Sequence, residues 1–116
     1  MIDLHTHSTS SDGTYTPTQL VDHAVEKGIS VLALTDHDTI DGLKEASDEA
    51  ERVGLKFVPG IELNIEWPTG EFHLLGLGLK SISKELISII SDLQRKRNIR
   101  NSEIAAKLQK KVFLYQ

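Results

Sequence analysis

Apolar positions along the chain alternate between two rhythms. Ile2 and Leu4 open a short apolar stretch over residues 1–5, and Ile29 to Thr35 is a branched, aliphatic run short enough for a strand buried on both faces. Between them Leu20, Val21, Ala24 and Val25 fall at helical spacing behind Thr16-Pro17-Thr18-Gln19. That tetrad supplies an N-cap threonine, a proline at the first helical position and a glutamine at N3, so a helix is predicted over 17–27 with Gly28 as its stop. Leu43, Ala46, Ala50 and Val53 form a second stripe, predicting a helix over 39–53 that ends at Gly54. The polar stretch from His5 to Thr14, rich in Ser, Thr and Gly, reads as a loop.

The alternation then breaks. Residues 55–66 and 71–79 read as two strands joined by Trp67-Pro68-Thr69-Gly70, whose Pro and Gly suit a tight turn. From Ser83 onward Leu86, Ile87, Ile90 and Leu93 have helical spacing, and a separate helical stretch over 102–110 carries Ile104 and Leu108. Val112 to Tyr115 is an apolar tail with no evident packing partner. A strand-helix-strand-helix start followed by a hairpin places the chain in the α/β class.

Composition narrows the function. The 116 residues fit one small domain, and 39% hydrophobic with 26% charged residues is an ordinary globular balance. A net charge of -4 gives no general basic field for a nucleic-acid backbone or anionic lipid, so a bound phosphate needs a local source of positive charge such as divalent cations. With no cysteine, thiolate sites and cysteine nucleophiles are excluded, and any metal must sit on nitrogen and oxygen. Met1 leads straight into Ile2-Asp3-Leu4-His5 without a basic n-region or apolar h-region, and no apolar run is long enough to span a bilayer; a cytoplasmic protein without membrane contact is expected.

His5-Thr6-His7 sets two imidazoles two residues apart, where strand geometry aims both at one face. Asp12 follows in the same polar loop, His37 ends the next strand, Glu62 lies on the third, and His73 falls within the hairpin. In a parallel α/β sheet the C-terminal strand ends share one rim, where loops converge and active sites form. Imidazole and carboxylate without sulfur suit zinc, manganese or iron, and a carboxylate such as Glu62 can bridge two cations. Plainer roles exist for several of these residues. Asp12 suits a turn before Gly13, His73 could be a buried hairpin histidine, and Asp36 could either orient a ligand imidazole or simply terminate its strand. Asp38 reads as the N-cap of the second helix rather than a ligand. His23 lies off the apolar face of its helix and is expected in solvent. The cluster Arg95, Lys96, Arg97 and Arg100 reads as a solvated helix end complementing the macrodipole, with contact to a nucleotide phosphate as the alternative.

His5-Thr6-His7-Ser8 with Asp12-Gly13, Leu34-Thr35-Asp36-His37-Asp38, Gly60-Ile61-Glu62 and the later His73 together resemble the opening motifs of the polymerase and histidinol phosphatase (PHP) superfamily, in order over about residues 1 to 80. The loop Ser8 to Pro17 and the Leu34 to Thr39 block are most similar to the stand-alone nucleotide phosphoesterases of that superfamily. The resemblance implies the N-terminal half of a distorted (β/α)7 barrel with a β-hairpin and a C-terminal helix, residues 1–80 belonging to the metal-binding domain and 81–116 to the start of a helical insertion. It implies His5, His7 and Glu62 on one metal, Asp12 and His37 on a second, and Glu62 bridging to a third also held by His73. Asp36, beside His37, is the candidate catalytic residue. The implied activity is hydrolysis of a nucleotide, short RNA or related phosphate monoester by metal-activated hydroxide, with up to three divalent ions (Mn, Zn or Fe). The alternative is a non-catalytic metal-binding PHP module.

Members of the superfamily supply further ligands from later strands, typically another histidine and an Asp-x-His pair, which this sequence lacks. The expectations that follow are a portion of a longer protein, weakened metal binding, little or no catalysis by this chain alone, and self-association through an exposed half-barrel edge.

Overall fold

The structure, a computed structural model, describes residues 1–67, 70–79 and 83–114, with backbone only for 66, 67, 101, 104, 105 and 107–114. Pro68 and Thr69 of the expected turn, residues 81 and 82 of the expected helical segment, and Tyr115 lie outside the described residues, as do the side chains of Ile104, Leu108 and the rest of the tail.

Strands β1 (Ile2–Thr6), β2 (Val31–Leu34), β3 (Lys56–Trp67) and β4 (Gly70–Leu77) form one sheet in that spatial order. β1, β2 and β3 run parallel, and β4 returns antiparallel to β3 with Gly60 opposite Leu77 and Asn64 opposite His73. Helices α1 (Pro17–Glu26) and α2 (Leu43–Val53) connect the parallel strands, and α3 (Lys84–Leu114) follows the hairpin. Parallel neighbours need such crossovers, which explains why helix and strand rhythms alternate over the first half of the sequence.

The core lies between the sheet and α1 and α2. Val21 and Ala24 from α1, Leu32 and Leu34 from β2, and Ala46, Ala50 and Leu55 are buried together, with Leu20, Ile29, Leu43, Val53 and Phe57 packed around them. The helix stripes read from the sequence are the faces turned inward. Thr16 caps α1 as its tetrad predicts: its hydroxyl accepts from the Gln19 N–H at 3.1 Å, and the Gln19 side chain accepts from the Thr16 N–H at 3.0 Å. Gly54 ends α2 at φ 76, a left-handed conformation that costs a side-chain-bearing residue energy. Across the helix pair, Glu45 accepts from the Thr18 N–H and hydroxyl, and Arg52 grips Glu49 while approaching Asp22 of α1 at 3.9 Å.

Four readings of the sequence are corrected. The second helix begins at Leu43, not Thr39, and its N-cap is Gly42 with no side-chain cap. Asp38 does not cap it, because the carboxylate is taken by the Asn64 N–H at 2.9 Å and by Arg97 at 3.1 Å, with the backbone at φ 52. The two C-terminal helical stretches are one continuous α3, since no Gly or Pro interrupts residues 84–114. The basic cluster therefore sits mid-helix, where the terminal dipole does not reach, and Arg97 is held by Asp38. Among the described residues no helix is long and apolar enough to cross a membrane.

Candidate metal centre

β1 delivers His5 and His7 to the C-terminal rim, β2 delivers His37, β3 delivers Glu62, and the β3–β4 register sets His73 beside them. Adjacent parallel strands bring their ends together, and Glu62 is locked to the end of β2 by two backbone bonds. The Asp38 N–H donates to the Glu62 carbonyl at 2.9 Å, and the Glu62 N–H donates to the Asp36 carbonyl at 3.1 Å. The Glu62 side chain is 3% exposed and is faced by four imidazoles. His5 contacts Oε1 directly, and His7 Nε2 lies 3.8 Å from the same oxygen. His37 Nδ1 and His73 Nδ1 lie 2.8 and 3.0 Å from Oε2. Asp12 closes the other side, with Oδ2 at 3.1 Å from His37 Nε2 and Oδ1 at 3.8 Å from His7 Nδ1.

These atoms fall into three overlapping groups compact enough for a shared cation: His5, His7 and Glu62; His7, Asp12 and His37; and His37, Glu62 and His73. All six residues singled out from the sequence as ligands thus stand in one cluster, and His23 stands apart, stacked on Tyr15. Two buried polar atoms show that the donor set suits a cation. His7 Nδ1 and Glu62 Oε2 are buried without a hydrogen bond. Oε2 is close to two ring nitrogens, yet their N–H directions miss it. Buried polar atoms without partners are costly, and lone pairs converging at such distances are what a divalent ion satisfies. His7 is pushed below its ordinary pKa, first by burial and then by the nearby His37, so it is held neutral and able to donate its lone pair.

Asp36 sits behind this cluster. Its carboxylate accepts from the Ser8 N–H at 2.6 Å, the Ser8 hydroxyl at 2.7 Å and the Ser11 hydroxyl at 2.8 Å. It holds the loop that carries Asp12, and those three bonds occupy it. Gly13 completes the loop because its backbone passes so close to His7 that a Cβ there would lie 2.3 Å from the His7 carbonyl oxygen. Ser8 enters the sequence reading only within a motif and Arg97 only within the basic cluster, and Asn64 and Gln94 have no place in it. Asn64 had a detectable signal, since two residues beyond Glu62 on a strand is the same face; the contacts of Gln94 and Arg97 had none, because their partner Asp38 lies 56 and 59 positions away and is unrelated in pattern.

A parallel α/β rim carrying imidazoles and carboxylates is an arrangement that can hold divalent cations. Residues 3–113 match the PHP domain, and the chain belongs to that family. It is 40% identical over 108 residues to a 5'-3' exoribonuclease of Haemophilus influenzae, covering 93% of this chain and 39% of that protein. It is 38% identical over 108 residues to a 3',5'-nucleoside bisphosphate phosphatase of Chromobacterium violaceum, covering 93% of this chain and 38% of that one. A solved Chromobacterium violaceum structure, described as an amidohydrolase with bound sulfate and no metal, superposes with a TM-score of 0.87 at 38% identity, over 93% of this chain and 38% of the other. The fold is accordingly a partial PHP barrel, and the chain spans less than two fifths of the length of these relatives.

Proposed function

We propose that the cluster is a multinuclear divalent-metal centre of a phosphoesterase, acting on a nucleotide, short RNA or related phosphate monoester. The observation that carries this reading is the buried Glu62 carboxylate ringed by four imidazoles from β1, β2 and β4. The names of the Haemophilus and Chromobacterium relatives support the substrate class, and the sulfate of the Chromobacterium structure is a tetrahedral oxyanion of phosphate's shape. Manganese, zinc or iron suits the ligand set.

His5, His7 and Glu62 would hold one ion, Asp12 and His37 a second, and Glu62 with His73 a third. Bound divalent ions supply Lewis acidity toward a phosphoryl oxygen and lower the pKa of coordinated water to roughly 7 in favourable sites. The protein's part is placement and charge. Glu62 turns both carboxylate oxygens toward the ligand cluster from a buried position, and neutral His7 leaves a lone pair available. Asp36 acts as a positioning residue through the Ser8–Ser11 turn. His5, His73 and Asp12 are the exposed members, at 55, 50 and 64%, so a phosphate approaches from their side. Residues 1–80 form the metal-binding part in this reading and 81–116 a helical extension, in a cytoplasmic protein. Ile2 and Leu4 on β1 and Leu74 and Leu75 on β4 are exposed on the outer strands, which supports self-association.

The test is titration of the protein with Mn²⁺ together with phosphate release from adenosine 3',5'-bisphosphate, with and without EDTA. Metal binding with Mn²⁺-dependent release supports the phosphoesterase. Because this chain alone is expected to turn over little, metal binding without release favours the binding module when the full-length protein behaves the same way, and absence of metal binding refutes both.

A further inference from the structure

The two ring nitrogens of His37 face different partners. Nε2 lies 3.1 Å from Asp12 Oδ2, whereas Nδ1 lies 2.8 Å from Glu62 Oε2 and 3.4 Å from Asn64 Oδ1. A histidine that gives one nitrogen to a cation keeps a proton on the other, and an oxygen acceptor there fixes both tautomer and ring angle. The oxygens of Glu62 face four imidazoles and are committed to the cations. Asn64 Oδ1 is then the acceptor left for Nδ1–H. Strand geometry puts it there: Asn64 is two residues beyond Glu62, on the same face of β3, and opposite His73.

Asn64 is itself held from behind. Its N–H donates to Asp38 Oδ1 at 2.9 Å, Arg97 of α3 donates to Asp38 Oδ2 at 3.1 Å, and the Gln94 side chain of α3 donates to the Asp38 carbonyl at 2.9 Å. The Asp38 N–H donates to the Glu62 carbonyl, so both backbone polar groups and both carboxylate oxygens of Asp38 are used. Its side chain is 3% exposed and its φ is 52, an unfavourable conformation for a residue with a side chain. Such a conformation persists where the surroundings over-determine it, and it often marks a functional site. A continuous path of polar contacts therefore leads from α3 through Asp38 and Asn64 to His37.

We propose that Asn64 is a positioning residue for the metal centre, fixing the His37 ring through Nδ1 and leaving Nε2 free for a cation beside Asp12, and that α3 holds Asn64 in place through Arg97 and Asp38. The inference rests on the divalent-metal reading of the cluster. Outer contacts to a ligand histidine are worth roughly 10–100-fold in metal affinity.

The experiment has two arms on the full chain. The first reads the His37 tautomer by long-range ¹H–¹⁵N NMR in the wild-type protein loaded with diamagnetic Zn²⁺, where Nδ1–H is expected and Nε2–H would overturn the proposal. The second titrates Mn²⁺ by calorimetry into the wild type, Asn64→Leu, Asn64→Asp and Arg97→Ala. Asn64→Leu, similar in volume without an acceptor, is expected to weaken binding at least tenfold. Asn64→Asp, which keeps the oxygen, should bind within a few-fold of the wild type, and Arg97→Ala should fall between. Affinity of Asn64→Leu within twofold of the wild type overturns the proposal while leaving the metal reading intact. Wild-type protein that binds no Mn²⁺ overturns the metal reading and this proposal with it; if Asn64→Leu fails to fold, the tautomer and the Arg97→Ala affinity decide, unchanged affinity in Arg97→Ala overturning the part assigned to α3.

Discussion

Glu62→Gln removes one negative charge and almost no volume from the centre of the cluster. Glu62 belongs to two of the three candidate cation groups, and its oxygens face His5, His7, His37 and His73. A neutral amide cannot bridge two cations as a carboxylate does, so the loss should reach or exceed the upper end of the outer-contact range, roughly 100-fold in affinity. At Mn²⁺ one hundred times the wild-type Kd, binding stabilises the native state by ~2.7 kcal/mol, whereas a Kd raised 100-fold leaves only ~0.4 kcal/mol. At ~4 °C per kcal/mol for a domain of this size, the wild type should gain ~10 °C in Tm and the variant ~2 °C. The assay is thermal unfolding followed by circular dichroism with Mn²⁺ and with EDTA. The metal-free comparison isolates the intrinsic effect of the substitution, since any relief of a buried charge appears there as well. A variant that keeps the full Mn²⁺-dependent shift would falsify the view that Glu62 is the common ligand.

Three further outcomes follow from other parts of the molecule. Asp36→Asn replaces one acceptor by a donor facing the Ser8 and Ser11 groups; urea unfolding should show a loss of ~1–3 kcal/mol, with weaker Mn²⁺ binding as the Asp12 loop loosens. The Arg52 guanidinium beside Glu49 depresses that carboxyl from its ordinary 4.5 to about 2, so its contribution to stability is fully present above pH 4.5 and is lost as pH falls through about 2. Asp22 is shifted upward by its hydrogen bond with Glu49 and opposes part of this trend; Glu49→Gln should flatten the acid side of the stability–pH curve measured by urea unfolding, and an unchanged curve would contradict it. The proposed self-association through the outer strands predicts concentration-dependent sedimentation that Leu74→Lys on β4 reduces; a monomer at all concentrations would contradict that proposal.

How much was visible in the sequence depended on the range over which each feature is determined. Thr16 and Gln19 meet within one turn of helix, so the start of α1 could be read directly. Spacing placed His5 and His7 on one face, and the strand ends placed His37 and Glu62 on a shared rim, because period and topology act over whole elements. Asp38 misled because an aspartate just before an apolar stripe looks like an N-cap, and nothing local reveals that Arg97 and the Asn64 N–H claim its oxygens. The same holds for Asp36, whose partners Ser8 and Ser11 lie 28 and 25 residues away. The continuity of α3 was missed for a different reason: hydrophobic spacing loses phase near Ile99, but backbone helicity does not need an unbroken apolar stripe.

The most direct measurement of the central claim is an anomalous difference map at the manganese edge from crystals grown with Mn²⁺. Peaks within bonding distance of a Glu62 oxygen and of imidazole nitrogens from β1 and β4 are the predicted result. A well-ordered cluster with Glu62 and the histidines in place and no anomalous peak among them, at metal concentrations that saturate binding in solution, would contradict it.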